Sequence, residues 1–206
     1  MIIGGAGGHA LELKDELEKK EEIKNLRYYV DPEFLDEGMV QSSLLISDHN
    51  SLELIFKNDP RFALGIGNPV IREKFYNFFD KIGGQFYSVH SVTAQISPSS
   101  SGLFDAMAFS FVGPETKIGK GVLLNVKSSV HHESIIGDFS EIGPGAILLG
   151  GVELGRKCRI GAGAVILPGI HLGDEVTVGA GAVVTKNFGR GSKLVGVPAK
   201  MLSLKI

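Results

Sequence analysis

From Ile118 to Val184 a large aliphatic residue recurs at every sixth position without a break: Ile118, Leu124, Val130, Ile136, Ile142, Leu148, Leu154, Ile160, Ile166, Leu172, Val178 and Val184. Four places after each of the earlier ones sits a small or medium residue: Val122, Ser128, Ser134, Ser140, Ala146, Val152, Cys158, Ala164, Ile170, Val176 and Ala182. Neither the helical period nor strand alternation produces a six-residue rhythm. A solenoid with one flat side per hexad does, with both positions turned inward.

Glycine usage sets the size of the coil. The residue after the aliphatic is glycine in most hexads, but positions 131, 149, 167 and 185 hold His, Leu, Leu and Thr, eighteen residues apart. Three hexads therefore make one triangular turn, with Asn125 the only other departure from glycine. The segment "SPSSSGLFDAMAFSF", Ser97 to Phe111, lies outside this register, and its connection to the repeats is not readable.

The first half has a different rhythm. Met1 to Gly4, "LRYYVD", "FALGIG" and "QFYSV" read as strands, and the stretches between them as helices. "LELKDELEKKEEIK" is amphipathic, "HNSLELIFK" starts at Asn50 or Ser51, and "NPVIREKFYNFFDKIG" has proline in its first turn and Gly83 past its end. That alternation predicts a small parallel α/β sheet covered on its faces. A domain boundary is expected near residue 92, giving domains 1–92 and 93–206.

A formal net charge of -2 gives no basic face for nucleic acid. The single cysteine cannot form an internal disulfide, and no signal peptide or membrane-length apolar run is recognisable. The expectation is a cytoplasmic chain with no membrane insertion.

The [LIV]-G-x-x-x-x rhythm resembles the hexapeptide-repeat acyltransferases, whose repeats wind a left-handed parallel β-helix. Three further stretches, "GAGGHA", "HHESIIGDFSEIGPGA" and "VGVPAK", together resemble the bacterial sugar acetyltransferases. These include the UDP-4-amino-sugar N-acetyltransferase of the bacillosamine pathway and the sialic-acid O-acetyltransferase-like proteins. The resemblance implies an α/β Rossmann-like amino-terminal domain followed by an all-β left-handed parallel β-helix. It also implies acetyl-CoA as acyl donor, a nucleotide-activated amino sugar as acceptor, and a homotrimer.

In coil terms, eighteen residues on from His132 is Gly150, about one strand spacing away, ~4.8 Å. An imidazole beside a residue without a side chain leaves room for a reacting group and for a backbone amide. Such a layout suits acyl transfer, with the histidine taking a proton and an amide facing the oxyanion. Free histidine titrates near ~6.5, close to working pH. The resemblance agrees: its base lies in the pattern N-x6-H-[ED]-x-x-I-G-[DE], matched by Asn125, His132, Glu133, Ile136, Gly137 and Asp138. His132 is the expected base, Glu133 its partner, Gly150 the oxyanion donor and Asn125 a substrate contact.

The resemblance carries over the acetyl-CoA contacts as Glu141, Ala162 and Ala180, although at 141 the family commonly has histidine. It carries over the nucleotide-sugar contacts as Gly7, Gly8, His9, Asp31 and Gly67. "GAGGHA" follows a strand and opens a helix, so its amides suit a phosphate, but it lacks the full G-x-G-x-x-G spacing.

His131 and His132 invite comparison with the zinc-dependent carbonic anhydrases of the same solenoid class. His171, however, falls forty residues beyond His131, at a different hexad offset, and no Cys or carboxylate cluster completes a ligand set. No metal is therefore expected. A sialic-acid-type O-acetyltransferase would use the same base and donor. A non-catalytic scaffold is the reading favoured by Glu141 and the short first strand.

Overall fold

The computed structural model describes residues 1–20, 23, 25–31 and 44–202. They form two compact units, Met1–Val89 and His90–Ile206.

The first unit is an all-parallel sheet of β1 (Ile2–Gly4), β2 (Arg27–Tyr29), β3 (Leu45–Ile46), β4 (Arg61–Leu64) and β5 (Gln85–Phe86), in the order β3-β2-β1-β4-β5. Helices α1 (Gly8–Glu18), α2 (His49–Asn58) and α3 (Pro69–Lys81) connect the strands. Ile2 and Ile3 point to opposite faces of β1 and both are fully buried, as a doubly covered sheet requires. Gly4 belongs in β1 because a methyl there would lie 2.7 Å from the Phe79 ring and 3.0 Å from Phe75, aromatics of α3 that pack on the strand.

Some expectations shift. The cap of α2 is Asp48, whose Oδ1 accepts from Ser51 N at 2.8 Å, rather than Asn50 or Ser51. Helix α1 ends at Glu18, short of the expected Lys24; residues 21, 22 and 24 lie outside the described residues. Strand β3, only two residues long, was not expected.

The second unit is a parallel β-helix. After β6 (Gln95–Ile96), β7 (Ser101–Ala106), β8 (Phe111–Val112) and β9 (Lys117–Leu124), two-residue strands recur every six residues from β10 (Ser129–Val130) to β19 (Val183–Val184). Pairing runs at eighteen-residue offsets, as in Ser129↔Ile147, Val165↔Val183 and Glu141↔Arg159. All twelve repeating aliphatics are at most 4% exposed, and their eleven inward companions at most 8%. Each aliphatic contributes roughly 1.5–3 kcal/mol by leaving water, and together they form one continuous core.

The unassigned Ser97–Phe111 segment belongs to the first coil. There β6 pairs with β8 at an offset of sixteen (Gln95↔Phe111), and β7 changes from sixteen (Ser101↔Lys117) to eighteen (Phe104↔Val122) across an irregularity at Gly102. Two fewer residues put this coil outside the hexad register. Hydroxyls fill in at its corners, where Thr93 Oγ1 accepts from Phe109 N at 3.1 Å and Ser99 Oγ from Glu115 N at 3.0 Å.

Corner geometry explains the glycine rule. A methyl on Gly137 would lie 2.5 Å from Arg156 N, and one on Gly161 2.6 Å from Ala180 N, so glycine suits the place before the turn at two of the three corners, where Asn125 is the one exception. The third corner accepts His131, Leu149 and Leu167. From Phe109 to Gly181 the second residue of each turn takes a left-handed φ, for example 59° at Glu133, 57° at Phe139 and 68° at Gly151.

Candidate active site

His132 lies at the third corner, where His131, Leu149 and Leu167 take the place before the turn. Its stacking neighbours are the expected ones: Gly151 N donates to His132 O at 2.9 Å, and Gly169 N to Gly150 O at 3.0 Å. The imidazole lies across Gly150, where a methyl would be 2.5 Å from Nε2 and 3.0 Å from Nδ1. The His132 side chain is 60% exposed, and its Nδ1 is 3.0 Å from Glu133 Oε2. A carboxylate at Nδ1 favours the tautomer with the proton there, which leaves the lone pair on Nε2 above Gly150. Among the described residues the Gly150 N–H meets no acceptor.

Asp138, part of the matched pattern, has a structural task. Its Oδ1 accepts from Lys120 N at 3.0 Å one coil earlier, and Asp174 does the same for Arg156 N at 2.9 Å. Asn125 caps its own turn through Oδ1 and Val126 N, 2.8 Å. His131 turns away from His132, with its ring 5.5 Å from that of Phe111. His171 instead pairs with Glu153 at 3.2 Å. Among the described residues no three His, Cys, Asp or Glu side chains gather as a metal site.

Glu141 is only 7% exposed, and its Oε2 accepts from Arg159 Nε at 2.8 Å on the adjacent coil. The expectation for Glu141 named no partner; the eighteen-residue offset to Arg159 was the available signal. Ala162 and Ala180 are exposed at the corner that also holds Pro144. The glycines beside them, Gly145, Gly163 and Gly181, have left-handed φ, and a methyl on any of them would meet nothing within 4 Å. This leaves an open track of small residues across three coils, roughly 10 Å along the axis at ~4.8 Å per strand. Cys158 is buried, donates to Gly173 O at 3.1 Å, and burial pushes its thiol up to about 11.

In the first unit the expected contacts lie at one edge of the sheet. Gly7, Gly8 and His9 follow β1, Asp31 follows β2 and Gly67 follows β4, all at carboxyl ends of parallel strands where the order reverses. Gly7 and Gly8 are exposed with open space about them, and His9 Nδ1 is 3.4 Å from Glu12. The buried Arg72 guanidinium braces the β4–α3 loop through Leu64 O (2.6 Å) and Ile66 O (3.0 Å). Beside Asp31, which pairs with Lys74 at 3.0 Å, is a cavity of about 250 Å³ walled by Tyr29, His49, Phe75 and Phe78.

Residues 1–79 match the family model described as the PglD N-terminal domain. Residues 133–168 and 151–186 match that of the bacterial transferase hexapeptide (six repeats). The repeat unit is thus the left-handed parallel β-helix of the hexapeptide transferases. Among solved structures, PerB from Caulobacter crescentus, in complex with CoA and GDP-perosamine, is similar with a TM-score of 0.88 at 27% identity, over 98% of this chain and 96% of that one. A mutant GDP-perosamine N-acetyl transferase from the same organism, with the same ligands, matches at 0.89 and 26% over the same shares. The acetyltransferase domain of PglB from Neisseria gonorrhoeae, in complex with acetyl coenzyme A, matches at 0.84 and 28%, over 98% of both chains.

Proposed function

We infer that this chain, a hexapeptide-repeat sugar acetyltransferase in which a PglD N-terminal domain leads into bacterial transferase hexapeptide repeats, moves an acetyl group from acetyl-CoA to the amine of a nucleotide-linked amino sugar. The observation that carries the reading is the His132 corner: Nδ1 held by Glu133 and Nε2 above the bare Gly150.

His132 Nε2 takes a proton from the sugar amine as its nitrogen attacks the thioester carbonyl carbon. The new N–C bond forms, the carbonyl oxygen carries the negative charge, and the Gly150 N–H stabilises it. Collapse breaks the C–S bond, and the imidazolium returns its proton to the departing thiolate. Cys158 takes no part, since its buried thiol holds its proton.

The solenoid, residues 93–206, binds the acyl donor along the Ala162 and Ala180 corner, where the small residues suit a pantetheine arm; Glu141 shapes the same side. Residues 1–92 bind the nucleotide, with its phosphates at Gly7, Gly8 and His9 and further contacts at Asp31 and Gly67. Asn125 adds an acceptor contact. Supporting this division, similar proteins bind CoA with GDP-perosamine and acetyl coenzyme A. The working unit is a homotrimer, placed in the cytoplasm, where a lone cysteine stays reduced.

The test is direct: supply acetyl-CoA with GDP-perosamine, a UDP-4-amino-sugar or a sialic acid, follow thiol release, and locate the acetyl group by mass spectrometry. An N-acetylated nucleotide sugar is expected. O-acetylated sialic acid would replace this reading, and failure of calorimetry to detect acetyl-CoA binding would leave a scaffold.

A further inference from the structure

The peptide that presents the Gly150 N–H is held from inside the solenoid. The Ser134 side chain is fully buried, and its Oγ donates to Leu149 O at 3.3 Å. Leu149 O and Gly150 N–H belong to one trans peptide and point in opposite directions. With the carbonyl drawn to an interior hydroxyl, the N–H is turned out of the core at the corner where the His132 ring lies.

The neighbouring corner supplies the contrast. Ser140 Oγ donates to Gly155 O at 3.0 Å, holding the Gly155–Arg156 peptide in the same way, but there the amide is consumed by Asp174 Oδ1 at 2.9 Å. One coil beyond Gly150 the corresponding residue is Pro168, which has no side-chain acceptor. The same hydroxyl link thus ends in a capped amide at one corner and an open amide at the other. Along its own column, Ser134 follows Thr116, whose Oγ1 has one proton to share between Gly113 O at 2.8 Å and His131 O at 3.3 Å, and precedes Val152 and Ile170. Hydroxyls occur on the two coils that hold the carbonyls before His132 and Gly150, and aliphatics follow.

We propose that Ser134 is a positioning residue for acyl transfer, fixing the Leu149–Gly150 peptide plane so that the Gly150 N–H meets the thioester oxygen as it becomes negative. This rests on the acyl-transfer reading above. Removing an oxyanion donor outright costs about 100- to 1000-fold in kcat; freeing its plane while keeping the donor should cost about 10- to 50-fold. KM for both substrates should stay within about twofold, because the interaction strengthens only in the transition state.

The experiment compares wild type, Ser134→Ala, Ser134→Thr and Ser140→Ala for melting temperature and for kcat and KM with acetyl-CoA and GDP-perosamine or a UDP-4-amino-sugar. It also records the infrared carbonyl stretch of bound carbon-13 acetyl-CoA. Ser140→Ala should lose the more stability, because Ser140 Oγ also accepts from Cys158 N at 2.9 Å, yet only Ser134→Ala should lose kcat and the hydrogen-bonded shift of the stretch. Ser134→Thr should recover both. Full kcat and a stretch shifted as in wild type in a folded Ser134→Ala would overturn the assignment, as would an equal kcat loss in Ser140→Ala. If Ser134→Ala does not fold, Ser134→Cys carries the test, because a thiol at an inward offset already reaches a carbonyl in Cys158. An intermediate kcat is then expected, and a wild-type kcat overturns the assignment. Absence of transfer by the wild type would overturn the acyl-transfer reading itself, and so is distinct from these outcomes.

Discussion

The His132 ring covers Gly150 so closely that one added methyl would sit 2.5 Å from Nε2. Gly150 is not among the glycines with left-handed φ, so alanine suits its backbone. Gly150→Ala therefore separates site from fold. Stability should be unchanged or higher by up to about 1 kcal/mol, while kcat falls by about 100-fold as the imidazole is pushed aside. Melting curves and steady-state kinetics check this.

Glu133 combines a chemical position with a strained one, since its φ is 59°. A left-handed residue other than glycine costs about 1–2 kcal/mol, and glycine's extra unfolded-state freedom offsets about 0.5–1 of it. Glu133→Gly should leave the melting temperature equal or higher while kcat drops about tenfold, because Nδ1 loses its carboxylate. A variant as active as wild type would assign Glu133 to the corner alone.

Arg159 and Glu141 are unequal partners, their side chains 54% and 10% exposed. Arg159→Ala leaves a nearly buried carboxylate short of a donor and should destabilise by about 1–3 kcal/mol. Glu141→Gln should cost less, because it removes the buried charge. Denaturant titrations of both variants measure the difference.

Burial raises the Cys158 thiol to about 11 from an ordinary 9.0. The folded state holds the proton where the unfolded chain has released it, so this contribution is complete below about pH 9 and is lost as pH rises towards 11. Melting temperature should fall across that window, and less steeply in Cys158→Ala.

The hexads were legible because inward residues must recur wherever an identical coil stacks on itself, and Ile118 to Val184 does so without interruption. The first coil was hidden because it is two residues shorter and uses Thr93 and Ser99 hydroxyls in place of carbonyls. His132 above Gly150 could be read from the eighteen-residue offset alone. Ser134 below Leu149, or Arg159 beside Glu141, required the direction of particular atoms, which residue spacing does not give. Asp138 matched a functional pattern, yet its side chain caps Lys120 N.

The most direct measurement is acetyl transfer from acetyl-CoA to a nucleotide-linked amino sugar by purified His132→Ala, with acetyl-CoA binding followed by calorimetry. The account predicts binding close to wild type with kcat reduced by about 100-fold or more. Turnover equal to wild type in a folded variant would contradict it.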